Sequence, residues 1–362
     1  MNFTSLKSNK FLGFVFTFIA NIFFSSVRNI VKKNKTGKTV VIALHKLGDC
    51  VFTLSAVKQI TNQYKNIAIV CYPETTDIFK LVLKDVEFLE LKHSDFYIEE
   101  RFASSNARAL LKKLEPFTIF DLTGCITSVS LIFNSNASRI IGTNENYYKK
   151  IYDHYVPLRT EPHIKDIYLD AIRPVINIDE NIRLNEHQGF NGKYIGIHPF
   201  AGWKAKEWNL RKFILLAEQL SKKYTVKFVT PAEKVPYDVI SYLDEKGIEV
   251  VETKTTKQLI EFISSAFLFI GNDSGPVQIA NLLGIPTFTI YGPTNPIYHA
   301  PSEGINKFVM KKLNCSPKDN KYCFTYGGRF CQTYDCMYQL STENVFGAVE
   351  SFIDELGIFQ EK

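Results

Sequence analysis

The sequence predicts an α/β protein of two Rossmann-like halves, each a parallel sheet covered by helices, preceded by an amphipathic N-terminal helix. Three observations lead there. The chain has 362 residues, too many for one ordinary core and suited to two domains of roughly 150 residues each. Short apolar, β-branched runs alternate with helical periodicities, the pattern of successive strand–helix–strand units. The alternation also starts twice, at Lys38 and again at Tyr194. Hydrophobic residues at 45% and charged residues at 22% are the composition of a folded globular chain.

The first 37 residues form an arm. Residues 11–24 are apolar apart from Gly13, Thr17 and Asn21, a run too short for a bilayer, which takes about 20 apolar residues. Lys7, Lys10, Arg28, Lys32, Lys33, Lys35 and Lys38 carry the basic character, and no acidic residue precedes Asp49. With a net charge of +6, the rest of the chain is close to neutral, which argues against a nucleic-acid surface. The pattern fits a helix lying in a membrane interface, its lysines meeting anionic headgroups at about 1 kcal/mol each. A helix packed on the protein itself and a signal or spanning segment are the other readings.

Val40-Val41-Ile42-Ala43-Leu44 reads as a buried parallel strand, followed by a turn at Leu47-Gly48-Asp49 and a helix over 51–64. Strands then fall at 67–71, 86–91 and 118–122, with helices at 75–83 and 105–114. In a doubly wound sheet ligands bind at the carboxyl ends of strands. Gly48 would let the backbone approach a ligand closely, and Asp49 could take a proton from an attacking hydroxyl or simply cap the next helix. No G-x-G-x-x-G occurs, so a dinucleotide cofactor is not indicated.

After the polar stretch 179–193 the pattern restarts. Tyr194–His198 is a strand, 199–206 a loop holding Trp203 and Lys206, 210–222 a helix and 226–229 a strand that leads to Glu233. A helix over 259–265 and a strand over 268–270 precede Gly271-Asn272-Asp273-Ser274-Gly275-Pro276. That turn opens a helix over 277–283, with Pro276 in the first turn, where no amide hydrogen is needed. Its backbone N–H groups and positive helix end suit a diphosphate; capping is the competing reading for Asp273 and Ser274. A strand over 287–291 ends in Gly292-Pro293-Thr294. Two such halves place the active site in a cleft between them.

Leu47-Gly48-Asp49 with Thr53, Phe120-Asp121-Leu122-Thr123-Gly124, Ile197-His198-Pro199-Phe200-Ala201-Gly202-Trp203 with Lys206 and Trp208, and 271–276 with Tyr291-Gly292-Pro293-Thr294 together resemble glycosyltransferase family nine, the ADP-heptose:lipopolysaccharide heptosyltransferases. The resemblance spans about residues 39 to 356. It implies a GT-B fold and an inverting, metal-independent transfer of a sugar, heptose from ADP-heptose, to a lipopolysaccharide-core or other surface-glycan acceptor. Asp49 takes the position of the general base and Lys206 that of the lysine neutralising the donor phosphates. Gly48, Thr53, Glu233, Asp273, Ser274, Gly275 and Pro276 fall at donor-binding positions, Glu233 on the ribose and Asp273 on the sugar hydroxyls. The partners implied are the nucleotide sugar as substrate rather than cofactor, a lipid-linked acceptor and an anionic membrane surface. The location implied is the cytoplasmic face of the inner membrane, held peripherally. A non-catalytic binding or scaffold protein of this fold, or a nucleotide-sugar epimerase, is the alternative.

Tyrosines crowd 143–166 (Tyr147, Tyr148, Tyr152, Tyr155), to stack on sugars or to pack. Cys315, Cys323, Cys331 and Cys336 cluster beside Lys318, Lys321 and Arg329. No C-x₂-C pair is present, so no metal is expected there. The cysteines read as a structural thiol or disulfide cluster, with a four-thiolate zinc site or reactive thiols as the other readings. The domains expected are the arm (1–37), an acceptor domain (38–178), a linker (179–192), a donor domain (193–342) and a terminal helix (343–362) that crosses back to the first domain.

Overall fold

The computed structural model describes residues 10–184, 192–323 and 327–357, with backbone alone for 10–17. Lys7, the middle of the 179–192 linker and residues 358–362 lie outside the described residues. The chain divides into two compact units. Unit 1 holds Met1–Lys46, Phe52–Thr160 and Lys165–Ile182; unit 2 holds Leu47–Val51, Glu161–Ile164 and Arg183–Lys362.

Unit 1 carries eight strands: β1 (Lys38–Ile42), β2 (Ile67–Cys71), β3 (Glu87–Glu90), β4 (Phe96–Tyr97), β5 (Phe102–Ala103), β6 (Pro116–Asp121), β7 (Arg139–Asn144) and β8 (His154–Pro157). Six of them form a parallel sheet in the order β3-β2-β1-β6-β7-β8, while β4 and β5 make a separate antiparallel pair. The central strand β1 runs parallel to β2 and β6, with Val40 opposite Ala68 on one side and Ile119 on the other. Both faces of this sheet are covered, so the central strands are apolar throughout and do not alternate. Val40, Val41, Ile42 and Ile119 have no exposed surface.

The arm forms helix α1 (Lys10–Ile30). Its last turns pack on unit 1: Phe24 joins the core, and the buried Arg28 donates to the carbonyl of Ala137 at 2.6 Å and pairs with Asp153 at 3.0 Å. Ile19 and Phe23 stay 60% and 56% exposed. The helix is therefore both docked on the protein and left with an apolar outer face. Among the described residues no helix is long and apolar enough to cross a membrane.

Helix α2 spans Leu47–Gln63, four residues earlier than the hydrophobic pattern suggested. Leu47-Gly48-Asp49 is thus its first turn and not a loop, and Lys46 is the N-cap. The following helices are α3 (Pro73–Val82), α4 (Ser105–Lys113), α5 (Ile126–Ile132) and α6 (Ile164–Ile172).

Unit 2 repeats the plan with β9 (Tyr194–His198), β10 (Val226–Pro231), β11 (Glu249–Thr253), β12 (Ala266–Asn272), β13 (Thr287–Tyr291) and β14 (Asn306–Met310), ordered β11-β10-β9-β12-β13-β14 and parallel throughout. Between and after them run α7 (Leu210–Leu220), α8 (Tyr237–Glu245), α9 (Thr256–Ser264), α10 (Gly275–Leu282), α11 (Pro296–His299), α12 (Asp335–Tyr338) and α13 (Thr342–Leu356). Residues Val345, Val349 and Phe352 of α13 are buried in the core of unit 2 beside Phe213 and Phe288. The crossing of the last helix to the first domain is corrected: its apolar stripe finds its partners in α7 and β14 of its own unit.

Candidate active site

In each six-stranded sheet the strand order reverses once, between β1 and β6 and between β9 and β12. The crevice beyond the carboxyl ends at such a switch point is where open α/β sheets take ligands. In unit 2 those ends deliver His198 from β9 and Asn272-Asp273 from β12. Asn272 is completely buried. Its side chain accepts from the Trp208 amide at 2.9 Å and donates to the Pro199 carbonyl at 2.7 Å. One amide thereby ties both ends of the 199–208 loop to the tip of β12, and the loop carries Lys206.

The Lys206 ammonium lies 2.6 Å from Oδ2 of Asp273. Thr294 Oγ1 donates to the same oxygen at 2.7 Å, so Oδ2 is engaged twice. Trp203 roofs the ammonium at 4.1 Å from its ring centre, and its indole N–H is held by the Gly327 carbonyl at 2.9 Å. Burial pushes the Asp273 carboxyl upward, but the Lys206 charge, His299 and the two hydrogen bonds outweigh it, leaving the group below its ordinary value. The neighbouring His299 is driven down to about 4 by burial and stays neutral, its Nδ1 3.2 Å from the Asn295 carbonyl. A buried pair of this kind adds little net stability, yet removing one partner costs about 3–5 kcal/mol because the other charge is stranded.

Ser274 occupies the N-cap position of α10 in extended conformation, but its side chain makes no capping bond. Its Oγ is buried and without a hydrogen-bond partner. The first-turn amides of a helix have no partner within it, and Pro276 sits in that turn as the sequence suggested. Gly275 has a steric reason of its own. A Cβ there would lie 2.8 Å from Leu47 Cβ and 3.0 Å from the Gly48 nitrogen, and one on Gly48 would lie 3.3 Å from the Gly275 Cα. Segment Leu47–Val51, which belongs to unit 2, therefore approaches the start of α10 backbone to backbone; Gly275 is needed for that approach, and a side chain on Gly48 would crowd it.

Asp49 stands third in α2, so the capping reading is corrected. Its side chain is exposed and makes no hydrogen bond or ion pair among the described residues. The charge of Asp49 bears on Lys321 and Tyr322 of the same unit. Thr53 has no exposed surface, which leaves its hydroxyl no access to a ligand in this conformation. Glu233 lies beyond β10 in the left-handed region at φ 62, exposed, its amide donating to Glu252 at 2.8 Å; no contact joins it to the Lys206–Asp273 pair. The structure thus brings together Gly48, Asp49, Lys206, Asp273, Ser274, Gly275 and Pro276, with Thr53 buried and Glu233 exposed on its own loop.

Sequence reading missed Asn272 as the anchor of the lysine loop, and Thr294, His299 and Lys321 as neighbours of the pair. Thr294 stood in a quoted motif, but its bond to Asp273 joins residues 21 apart, and no local pattern encodes it. In unit 1, Asp121 is a buried cage: it accepts from Tyr152 at 2.6 Å, Ser128 at 2.7 Å and the Thr123 amide at 3.0 Å. Burial raises it to about 6 against those bonds. Tyr148 and Tyr152 are buried, so packing accounts for them, while Tyr147 stays exposed.

Among the described residues no disulfide joins Cys315, Cys323, Cys331 and Cys336, which leaves the thiol half of the thiol-or-disulfide reading. They line one cavity with Gly292, Pro293 and Tyr334. Among the described residues no set of three or more His, Cys, Asp or Glu side chains is arranged to hold a metal ion.

The family model for glycosyltransferase family 9 (heptosyltransferase) matches residues 141–326, more than half of the chain. The protein belongs to glycosyltransferase family 9. This family 9 glycosyltransferase is 26% identical over 324 residues to lipooligosaccharide heptosyltransferase 2 of Campylobacter jejuni, a match covering 84% of this chain and 95% of the relative. Among solved structures it is similar to the ADP-heptose LPS heptosyltransferase II of E. coli, with a TM-score of 0.66 at 15% identity over 89% of this chain and 100% of that one. It also resembles the iron-containing dodecameric glycosyltransferase TibC of enterotoxigenic E. coli, with a TM-score of 0.53 at 15% identity over 90% and 78% of the two chains. These structural likenesses establish the GT-B fold.

Proposed function

We propose that this glycosyltransferase moves a heptose from ADP-heptose to a lipid-linked acceptor sugar of the lipopolysaccharide or lipooligosaccharide core, or of another surface glycan, in one inverting displacement. The observation that carries the reading is the assembly of Lys206, Asp273 and Thr294 at the N-terminus of α10, in the same unit as the exposed, unpaired Asp49. The C. jejuni and E. coli relatives are heptosyltransferases, which supports the heptosyl donor.

The chemistry follows from the residues. Asp49 accepts the proton of the acceptor hydroxyl as its oxygen attacks the anomeric carbon. The bond from that carbon to the diphosphate breaks on the opposite side, and ADP departs with the electron pair. Negative charge grows on the diphosphate, where Lys206, the first-turn amides of α10 and the unpartnered Ser274 hydroxyl can receive it. Oδ2 of Asp273 is committed to Lys206 and Thr294, which leaves Oδ1 to accept hydroxyls of the sugar. Glu233 would reach the ribose from its exposed loop. Lys206 and the helix end supply the charge that a metal supplies elsewhere, so the reading contains no metal cofactor.

The enzyme would work from the cytoplasmic face of the inner membrane, attached by the exposed face of α1 and the lysines after it, where a lipid-linked acceptor is found. The test is transfer itself. ADP-heptose and a heptose-free core acceptor, incubated with the enzyme, should give a glycoside of inverted anomeric configuration. Release of a changed free sugar without acceptor would indicate epimerisation and overturn the reading.

A further inference from the structure

Lys321 comes from the cysteine-bearing segment, far in sequence from every motif of the site. Its backbone is nonetheless fixed there: the Lys321 carbonyl accepts from the Asn295 amide at 3.1 Å, and the next residue, Tyr322, forms a β-bridge with Thr294. Thr294 is the residue whose hydroxyl holds Asp273. Tyr322 packs against His299 with ring centres 5.8 Å apart, and the Lys321 ammonium lies 5.6 Å from the Tyr322 ring.

Lys321 is partly buried and forms no ion pair among the described residues. The charges that bear on it are Asp49 first and Lys206 second. A desolvated ammonium with no carboxylate in contact and a second ammonium nearby is costly in the empty protein, and the cost falls when an anion enters. The direction of its own equilibrium agrees: burial lowers it, Asp49 opposes that, and Lys206 adds to it.

We propose that Lys321 is a second phosphate-binding cation of the donor site, holding the phosphate next to the sugar while Lys206 and α10 hold the diphosphate from the other side. The assignment rests on the nucleotide-sugar reading above. The distal phosphate is bonded to the anomeric carbon of the sugar that Asp273 would hold. Lys321 is tied through the Asn295 amide and the Tyr322–Thr294 bridge to the residue that holds Asp273, which puts it on the sugar side of the diphosphate. A lysine there binds the donor and stabilises the leaving group.

The test is calorimetric titration of the full-length enzyme with AMP and with ADP, for the wild type, Lys321→Met and Lys321→Arg. Unfolding midpoints show that each variant folds, and Lys321→Gln replaces Lys321→Met if the latter does not. A charge-assisted contact to the second phosphate predicts that Lys321→Met weakens ADP by about tenfold and leaves AMP nearly unchanged, with Lys321→Arg recovering most of the loss. Equal ADP affinity in wild type and Lys321→Met, or equal losses for AMP and ADP, would overturn the assignment while leaving the nucleotide-sugar reading intact. An unchanged ADP-to-AMP ratio with a shifted pH profile of turnover would overturn it in favour of a role on Asp49. Failure of the wild type to bind ADP would bring down the nucleotide-sugar reading and this assignment with it.

Discussion

At the scale of single residues the account turns on Asp49, Lys206 and Asp273. Asp49→Asn removes a proton acceptor from an exposed position with no structural bonds. It should lower kcat by at least ~10²-fold, the lower end of general-base losses, and leave donor affinity and the unfolding midpoint unchanged. Turnover within a few-fold of wild type would remove Asp49 from the base role. Asp273→Ala is a poor probe, because stranding the buried Lys206 costs about 3–5 kcal/mol and confuses folding with binding. Asp273→Asn keeps the shape and an acceptor for Thr294, and should weaken the sugar nucleotide more than it weakens ADP. Equal effects on both ligands would place Asp273 on the phosphates and off the sugar. The individual members of this group were legible one by one: Asp49 next to Gly48, Asp273 within 271–276 at the end of β12, and Lys206 in the loop after β9. Their pairing was not, since Lys206 and Asp273 meet only after β9 and β12 align in the sheet.

At the scale of elements the strands read most clearly. β9 and β13 are apolar and bounded by turn residues, and both came out with the limits the sequence suggested. The edge strands β8, β11 and β14 were not read, because each is half-exposed and lacks the continuous apolar run of a buried strand. The starts of α2 and α10 were placed late: α2 follows Lys46, which makes no side-chain cap, and at α10 Pro276 marked the first turn but the Ser274 hydroxyl does not cap. Helix α1 carries its own prediction. Arg28 and Phe24 bind it to unit 1, while Ile19 and Phe23 face outward. Ile19→Asp with Phe23→Asp should abolish sedimentation with vesicles containing anionic phospholipid and spare activity on a soluble acceptor, as the altered side chains are exposed. Unchanged sedimentation would remove α1 from the membrane role. Arg28→Ala should instead destabilise unit 1 by leaving Asp153 and the Ala137 carbonyl without their buried partner.

At the scale of the whole molecule the two units should answer acid differently. His198 and His299 in unit 2 are each lowered to about 4 by burial. Unfolded histidine titrates near 6.5, so their contribution is present above that value and is lost as pH falls from about 6.5 towards 4. Asp121 in unit 1 is raised to about 6, so its protonated form is favoured in the fold and its contribution runs the other way, gaining as pH falls through 6. Both tryptophans, Trp203 and Trp208, lie in unit 2. The urea midpoint followed by tryptophan fluorescence should therefore drop between pH 7 and pH 5, and the drop should shrink in His299→Gln; an unchanged midpoint would mean that these histidines are not buried neutral.

The two-unit plan was visible from the restart at Tyr194, but the assignment of Leu47–Val51 and of α13 to unit 2 was not, because both depend on contacts distant in the chain. The most direct measurement of the central claim is a thermal-shift comparison of ADP-heptose with UDP- and GDP-sugars on the wild type and on Lys206→Gln. A ligand at 100 times its Kd stabilises by about 2.7 kcal/mol. The account predicts a marked rise in Tm for ADP-heptose alone, lost in Lys206→Gln. A rise for a UDP- or GDP-sugar in its place, or one that Lys206→Gln leaves intact, would contradict it.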